Sequence, residues 1–515
     1  MGTDGDHGEQ KPLVPSSPKK ERPSSCRKFW SFMGPGFLVS IGFLDPGNIT
    51  SDLESGGLVQ YKLLWVLLVS TVFGLVMQRL SARLGVVTQS HLAELCRLHY
   101  KRVPRLIIWL MMEVAVVASD MQMVIGLAIA IHLLSNRSVP PRAGVLISLL
   151  DIPIFRFLSK HNLEKLEVMF AILIGTMAVA FGYEFSISDP DALGILKGLT
   201  TPTCSQCGFE GVLQAVAIVG AIMTPHNLYL HSGLVQSREV DRSKSSNVKE
   251  ANSFFFLEAV IAVTVSFLIN LFVVSVFGKG LYHKTADNIM QDCAQHKYLN
   301  VTSTLLLQEH RAKPTLYTGG IFLGCTFGLT AMYIWGVGIL SSSRSATMTG
   351  TYAGQLIFNG FLEKAWSCWQ VSLLLRCISL FPVFCLTYEE NLTHASTILN
   401  AVMSLQLPFA VIPTVAFTSC SKIMGEFTNS KFSIVLSSVI GLGVVCVNVA
   451  FVCNTALIYI SNLFLLIPVI LLLVIYLVFC VYLCIHAVIL FGILDGVESQ
   501  RFQRLAEKYI LQSAL

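Results

Sequence analysis

The stretch Asp45-Pro46-Gly47-Asn48 lies inside an apolar segment, which runs from Gly36 to Leu44 before it and resumes at Ile49. A carboxylate within a membrane-length apolar segment costs roughly 2.5–3.5 kcal/mol on insertion scales. Pro46 lacks a backbone N–H and disfavours helix at the residue before it, and Gly47 is conformationally permissive. The stretch therefore predicts a helix that breaks at mid-membrane, with freed carbonyls and side-chain oxygens that can bind a cation. A proline kink with a locally satisfied aspartate is the alternative.

A second break of the same kind is predicted at Ala221-Ile222-Met223-Thr224-Pro225-His226-Asn227. It also interrupts an apolar run, with 212–219 before it and 228–235 after it. Non-helical backbone at membrane depth is tolerated only where it is buried or lines a cavity. Two proline-interrupted segments at corresponding places in two halves indicate a midplane substrate site in a transporter built from inverted repeats.

The composition is that of an integral membrane protein. The chain has 515 residues, of which 53% are hydrophobic and only 13% charged, and its mean hydropathy is +0.65. The small net charge of +5 gives no reason to expect a nucleic-acid partner. The 14 cysteines are scattered and form neither a disulfide framework nor a zinc-binding pattern. We expect a transporter in the lipid bilayer rather than an enzyme, without a cofactor.

The apolar segments predict about twelve transmembrane helices, each needing about 20 apolar residues. The predicted spans are about 35–58, 63–78, 106–134, 145–158, 166–181, 211–236, 254–277, 317–340, 366–386, 397–417, 434–452 and 463–491. The corresponding units are a disordered cytosolic tail (1–28), a first repeat (29–205), a second repeat (206–417), two further helices (418–493) and a cytosolic C-terminal tail (494–515).

Basic connections fix the expected orientation, because loops rich in Lys and Arg stay in the cytosol. The connection between the second and third spans is basic from Arg79 to Arg105, and so is the N-terminal region. The stretches 237–253 and 341–364 are likewise placed inside. Both termini are then cytosolic.

The predicted outer loops carry features of an oxidising exterior. Cys204 and Cys207 predict a loop disulfide, with or without Cys293. Glycosylation sequons begin at Asn300 and Asn391. The sequon at Asn48 is discounted because it lies within the first span.

Oxygen donors dominate the predicted site. Asp45 offers a charged oxygen, Asn48 an amide oxygen and Thr224 a hydroxyl, and the breaks expose the carbonyls near Gly42 and Ala221. Gln406 is an isolated amide in the tenth span that can complete the shell; an interhelical hydrogen bond is its alternative role. Oxygen shells suit hard cations, whereas sulfur ligands favour softer ones.

Four other intramembrane polar residues are functional candidates by default, namely Asp120, His226, His231 and Arg376. The two histidines lie five residues apart and can relay protons; satisfied core residues are the alternative. Arg376 is a candidate for an inner-gate ion pair with Asp120, although the sequence does not show the pairing.

Three motifs together resemble the natural resistance-associated macrophage protein (NRAMP) family over about 29–491. They are Asp45-Pro46-Gly47-Asn48, the run from Pro225 to Ser232 (PHNLYLHS) and the run from Gly350 to Gln355 (GTYAGQ). The family comprises proton-coupled importers of divalent transition metals. The resemblance implies an all-α, LeuT-like fold with a 5+5 inverted repeat and broken first and sixth helices.

The resemblance also implies residue roles. Asp45, Asn48 and the carbonyls of Gly42 and Ala221 match the family's metal ligands, and Gln406 matches a tenth-helix glutamine that joins them in the occluded state. His226, His231, Asp120 and Arg376 match proton-pathway residues of the family.

Two departures from the family pattern shape the prediction. Thr224 stands where the family has a methionine whose sulfur favours transition metals, and Met123 stands where the family has a proton-accepting glutamate. The Thr-for-Met change resembles the plant NRAMP-related aluminium transporter branch. We therefore expect a monomeric plasma-membrane importer of hard cations, Al³⁺ first and then Mn²⁺ or Mg²⁺, with an all-oxygen site and weakened proton coupling.

Three other interpretations stay open. The first is an ordinary proton-coupled Mn²⁺/Fe²⁺ symporter that tolerates Thr224. The second is a non-transporting membrane signalling protein, like the ethylene-signalling relative of the family. That relative carries a large cytosolic C-terminal domain, whereas only about 494–515 follows the last span here, which disfavours this interpretation. The third is a LeuT-like symporter of organic solutes, disfavoured because a carboxylate at the broken helix would repel a carboxylate substrate.

Overall fold

The computed structural model describes residues 34–153, 163–204, 207–285, 288–289, 293, 314–363, 366–387, 392–459 and 463–491. Within these ranges every regular element is a helix. The two predicted tails and the sequons at Asn300 and Asn391 lie outside the described residues.

The α-helices are numbered in chain order. They are α1 Pro35–Ser40, α2 Pro46–Val59, α3 Leu64–Thr88, α4 Leu92–His99, α5 Arg102–Leu134, α6 Pro141–Ile147, α7 Leu163–Ser188, α8 Ala192–Thr200, α9 Gly208–Ile222, α10 Pro225–Leu234, α11 Ser245–Gly280, α12 Leu316–Phe327, α13 Leu329–Leu362, α14 Cys368–Leu386, α15 Leu392–Gln406, α16 Pro408–Ser419, α17 Ser421–Met424, α18 Lys431–Tyr459 and α19 Leu463–Leu490.

Eight helical stretches of the described chain are long and apolar enough to cross a membrane. They are Leu64–Thr88, Arg102–Leu134, Gly208–Ser237, Ser245–Gly280, Trp369–Leu386, Ala395–Ser419, Lys431–Ile458 and Leu466–Leu490. Each of them coincides with a predicted span. The first predicted span consists of the two short helices α1 and α2, the fifth corresponds to α7, and the fourth falls partly outside the described residues.

The prediction for the eighth span is wrong. The span predicted at 317–340 and the inner loop predicted at 341–364 are instead the short helix α12 followed by the 34-residue helix α13. Many small polar residues made the second half of α13 look like a loop. They are buried, and their hydroxyls bond to carbonyls of the same helix, as Ser345 does to Ser341 (2.9 Å).

Two other boundaries also move. Arg79 and Arg83, predicted in the basic loop, lie within α3, which continues to Thr88. The helix of the seventh span begins at Ser245, so that part of the polar stretch 237–253 is helical.

The last two long helices lie at the periphery. Leu442 of α18 and Leu472 of α19 are 65% and 66% exposed, whereas many residues of α5 and α13 are buried. An apolar surface of this kind is stable only in contact with lipid or a partner. The buried core is therefore built mainly by the helices that precede α18.

Helix α1 is held at its beginning by a buried carboxylate of α11. Glu258 Oε1 accepts the backbone N–H of Gly34 at 2.5 Å and that of Phe37 at 3.3 Å. These are two of the N–H groups that a helix leaves without intrahelical partners at its N-terminus. The contact ties the first half of the broken first span to α11.

Two disulfides join cysteines of which three, Cys204, Cys207 and Cys293, lie in segments that the sequence predicts to be outside the membrane. Cys204 bonds to Cys207, which confirms the predicted loop disulfide, and Cys293 bonds to Cys325 rather than joining that pair.

Candidate metal-transport site

The first break lies where the sequence predicts it. After α1 a short 3₁₀ turn covers Ile41–Phe43, and α2 begins at Pro46. Asp45 is the N-cap, and its Oδ1 accepts the backbone N–H of Asn48 at 2.8 Å and the side-chain amide of Asn48 at 3.2 Å. The same amide donates to the carbonyl of Gly42 at 3.0 Å. Asp45, Asn48 and the Gly42 carbonyl are thus gathered at one point.

The side chain of Asn48 also has an unused hydrogen-bond acceptor. Its Oδ1 is buried and accepts no hydrogen bond within the described structure. A buried carbonyl-type oxygen without a partner is costly in the absence of a ligand. This oxygen is therefore suited to a cation.

The second break separates α9 from α10 at Met223 and Thr224, as predicted. Thr224 precedes Pro225 in the same way that Asp45 precedes Pro46. Its side chain makes no cap hydrogen bond to the backbone; its hydroxyl instead accepts the side-chain amide of Asn227. The described hydrogen bonds of Thr224 therefore do not include one to Asp45 or Asn48.

The two breaks interlock through Asn227, a residue that sequence reasoning did not single out. A Cβ atom on Gly42 would lie only 1.7 Å from Nδ2 of Asn227, so the side chain of Asn227 rests directly on the glycine backbone. The spacing x-Pro-x-Asn occurs at both breaks and was the available signal for Asn227.

The predicted tenth span is kinked after Gln406 rather than broken, because Leu407 keeps α-helical backbone angles. Helix α15 ends at Gln406 and α16 begins at Pro408, with only Leu407 between them. Gln406 is 9% exposed, and its Oε1 is buried without a hydrogen-bond partner among the described residues. It is thus a second amide oxygen available to a cation, and Pro408 is the available sequence signal for the kink.

An amide network fixes α2 relative to α5 and α15. The side chain of Gln122 donates to Oδ1 of Asn400 at 2.6 Å and to the carbonyl of Ser396 at 3.0 Å. Asn400 donates in turn to the carbonyl of Gly47 at 2.9 Å. The network reaches the backbone of the first break from two neighbouring helices.

A small cavity of about 10 Å³ lies beside the second break. Its lining includes Thr224 and the two thioether side chains of Met77 and Met223. Two residues that carry a thioether thus line the same small cavity as Thr224. Asp45, Asn48 and Gln406 are not among its lining residues, so the all-oxygen site stays a prediction. Met77 comes from α3, which sequence analysis had treated as an ordinary span.

Asp120 and Arg376 meet as an ion pair, with Nη1 of Arg376 3.2 Å from Oδ1 of Asp120. Arg376 also lies 3.5 Å from Oδ2 of Asp151 and donates to the hydroxyl of Thr347 at 2.9 Å. Asp151 pairs in addition with Arg344. Sequence reasoning missed Thr347 and Arg344 because 341–364 was interpreted as a loop, and it did not single out Asp151.

The two histidines of α10 have different surroundings. His226 is buried and its Nδ1 has no hydrogen-bond partner in the described structure. His231 is also buried; its Nδ1 contacts Oε1 of Gln78, and its Nε2 has no described partner. The described hydrogen bonds of the two histidines do not reach the Asp120–Arg376 pair.

Met123 is buried in α5, one turn after Asp120, and its Cε lies 3.3 Å from the Cβ position of Gly350. An apolar side chain thus fills this space against α13. Across the described chain, no three residues of the types His, Cys, Asp and Glu form a metal-binding cluster. A cation held at the breaks would therefore depend on Asp45 together with neutral donors.

The family model described as "Natural resistance-associated macrophage protein-like" matches residues 36–454. The chain belongs to the NRAMP family. It is 53% identical over 456 residues to Protein Malvolio of Drosophila melanogaster, an alignment that covers 86% of this chain and 76% of that protein. It is also 47% identical to NRAMP 1 of Homo sapiens (85% and 80% covered) and 47% identical to NRAMP 2 of Rattus norvegicus (87% and 79%).

Solved structures confirm the predicted fold. The manganese transporter of Eremococcus coleocola, in complex with an aromatic bis-isothiourea compound, aligns with a TM-score of 0.76 at 25% identity, covering 92% of this chain and 96% of that one. Mhp1, a nucleobase-cation symporter in a closed conformation, aligns with a TM-score of 0.51 at 13% identity and covers 92% and 95%. The chain is a multi-pass NRAMP membrane transporter of divalent metals with a LeuT-like fold, not an enzyme.

These relatives correct the expected resemblance to the plant NRAMP-related aluminium transporter branch. Malvolio and the vertebrate NRAMP proteins are animal proteins, and they do not support placing this chain with the plant aluminium transporters. They support the divalent-metal alternative better than the aluminium interpretation. The threonine at position 224 is therefore a local departure within an animal-type NRAMP sequence.

Proposed function

We propose that this protein is a secondary-active importer of divalent transition metals, with Mn²⁺ as its principal substrate and Fe²⁺ as a second. The observation that carries the proposal is the arrangement of the breaks. Asp45 supplies one carboxylate, and Asn48 and Gln406 each keep a buried amide oxygen without a protein partner in the described structure. A hard or borderline divalent cation satisfies all three.

Two methionines that line the cavity beside the second break bear on the proposed substrate class. Met77 and Met223 border the cavity that Thr224 also lines. Thioether ligands favour transition metals over Mg²⁺ and Ca²⁺. We therefore assign to these two methionines the discrimination that the family assigns to a methionine at position 224.

The contacts between the two breaks provide a mechanism for transport. Asn227 on the Gly42 backbone and Asn400 on the Gly47 carbonyl hold the two halves together around Asp45, which is buried. Parting these contacts on one side at a time would expose the cation alternately to the two faces of the membrane. The backbone groups freed by the breaks replace part of the hydration shell of the ion.

Proton coupling is proposed to be weak. The ion pair of Asp120 and Arg376 continues to Asp151, which gives a charged network through the interior of the protein. Met123 provides no proton acceptor one turn after Asp120. Proton movement would then depend on this network and on His226 and His231 of α10.

The positive-inside pattern supports cytosolic termini. We place the protein in the plasma membrane as a monomer, and we assign the predicted outer loops, with their disulfides, to the exterior.

The decisive experiment is uptake by the purified protein in proteoliposomes, with Mn²⁺, Fe²⁺ and Mg²⁺ supplied separately and internal pH recorded. Saturable Mn²⁺ uptake that exceeds Mg²⁺ uptake, with little acidification, is the expected result. Uptake of no metal, with no heat of Mn²⁺ binding by calorimetry, would refute transport. Acidification of the vesicle interior in a fixed ratio to Mn²⁺ uptake would refute only the proposal that proton coupling is weak.

Thr224 supports a second candidate function, the transport of Mg²⁺ alongside Mn²⁺. A hydroxyl in place of a thioether removes one soft donor from the position that the family uses for selectivity. Equal uptake of Mg²⁺ and Mn²⁺ in the same assay would favour this candidate.

A further inference from the structure

A cavity of about 280 Å³ lies between α3, α10 and α11, and its described lining includes no residue of the two breaks. We propose that it is a binding site for the phosphate group of an anionic lipid headgroup. The inference is independent of which metal is transported.

The lining of the cavity is basic. Arg79 and Arg83 of α3 face Lys249 of α11 across it. Among the described residues that line it, none is Asp or Glu. Several arginine and lysine side chains around one space form a site for phosphate, because the guanidinium donors match its oxygens.

Unused hydrogen-bond donors point to the same ligand. Nε of Arg83 and Nδ2 of Asn252 are buried and have no hydrogen-bond partner in the described structure. An anion with several acceptor oxygens would satisfy these groups.

The arginines are held in place by the protein. The guanidinium of Arg79 stacks over the ring of Phe256 at 4.5 Å, and Nη2 of Arg83 donates to Asn429. Both contacts leave other N–H groups of each guanidinium available. The site is therefore partly organised before any ligand binds.

One carboxylate lies near the cavity. Glu426 pairs with Lys249 at 3.5 Å, but both side chains are largely exposed, at 53% and 65%. Exposed pairs of this kind contribute little energy. Lys249 can therefore turn from Glu426 toward a phosphate at small cost, and the two arginines have no described acidic partner.

The surface beside the cavity favours a lipid as the source of the phosphate. Ser253 lines the cavity, and the next positions on the same face of α11 are Leu257 and Ile261, which are 48% and 39% exposed. This apolar stripe continues along a membrane-spanning helix. An acyl chain can lie on it while the headgroup occupies the basic cavity, as expected for anionic lipids at basic membrane-surface sites.

The test uses the full-length protein in nanodiscs of phosphatidylcholine with and without phosphatidylinositol bisphosphate, with bound lipid counted by native mass spectrometry. Arg79→Gln is the main variant, Lys249→Gln is a second one, and Arg102→Gln is the matched control, because Arg102 is an exposed arginine outside the cavity. We expect Arg79→Gln to weaken lipid binding at least tenfold and Arg102→Gln to leave it within twofold.

A parallel arm offers inositol trisphosphate and inorganic phosphate to the protein in plain phosphatidylcholine nanodiscs. Binding of the soluble probes alone, lost in Arg79→Gln, would keep the phosphate site and assign it to a soluble ligand. Binding of neither source, or equal weakening by Arg79→Gln and Arg102→Gln, would overturn the proposal. Unchanged Mn²⁺ uptake and elution volume show that the variants are folded.

Discussion

The two breaks share the pattern x-Pro-x-Asn but use it differently. At the first, Asp45 caps α2 and holds Asn48 by two hydrogen bonds. At the second, the side chain of Thr224 makes no capping hydrogen bond to the backbone. Its hydroxyl only accepts a hydrogen bond from the side-chain amide of Asn227, which also packs against Gly42. The first break thus supplies the charged ligand candidate, Asp45, and the second supplies Asn227, which contacts the first. One backbone motif has been put to two different purposes.

The most severe test of this division is to remove the charge. Asp45→Asn should lower Mn²⁺ uptake about 100-fold, because truncating a buried charged partner costs roughly 3 kcal/mol. Thr224→Val, the corresponding change at the second break, should cost less than about tenfold. Initial uptake rates in proteoliposomes measure both. Equal losses would show that the breaks are not specialised.

The next test concerns the contact between the halves. Gly42→Ala places a Cβ 1.7 Å from Asn227, so Asn227 must be displaced. Overpacking of this kind costs roughly 1–3 kcal/mol, and Mn²⁺ uptake should fall about tenfold or more.

Gly443→Ala is the matched control for this change, since nothing lies within 4 Å of its Cβ position. Thermal denaturation followed by tryptophan fluorescence should show a lower transition temperature for Gly42→Ala alone. An unchanged Gly42→Ala protein would mean that the close approach is not needed.

A smaller effect is expected on selectivity. Thr224→Met adds a thioether at the second break, whereas Met77→Leu removes one from the same cavity. The ratio of Fe²⁺ to Mg²⁺ uptake should rise about fivefold in the first and fall about fivefold in the second, which corresponds to roughly 1 kcal/mol. Competition of each metal against radioactive Mn²⁺ measures the ratio. If Met77→Leu has no effect, Met77 does not contribute to discrimination.

The smallest effect is expected from the disulfide next to α9, the helix that leads to the second break. The Cys204–Cys207 bond spans only 3 residues of sequence and Cys293–Cys325 spans 32. Stabilisation by loop closure grows with loop length, so Cys204→Ser with Cys207→Ser should be milder than Cys293→Ser with Cys325→Ser. Thermal half-lives in detergent would compare them. Mn²⁺ uptake by the first double variant should stay within twofold, unless the outer end of α9 controls the break.

The sequence predicted the breaks because proline and glycine act locally, and Asp45 was visible as a charge in an apolar segment. It did not predict the kink after Gln406, although Pro408 carried the signal. The error at α13 has a physical cause: Ser and Thr residues satisfy their hydroxyls on their own helix, so a polar stretch can still be buried. The part of the ion-pair network that passes through Arg344 was missed for the same reason.

The site chemistry was harder to predict than its position. The ligand candidates lie on separate helices, and only packing decides which side chains share a cavity. Met77 shows this well, because nothing in its local sequence connects α3 with Thr224. The partners of Asn400 and Gln122 likewise depend on long-range helix contacts.

The two hydrogen bonds that the beginning of α1 donates to Glu258 have a consequence for the rate of transport. Helix α1 is only six residues long, and these two hydrogen bonds tie its beginning to α11. If transport requires α1 to move away from α11, every transport cycle must break and re-form these two hydrogen bonds. The rate of that movement would then depend on Glu258, a carboxylate of a neighbouring helix that is not among the predicted cation ligands.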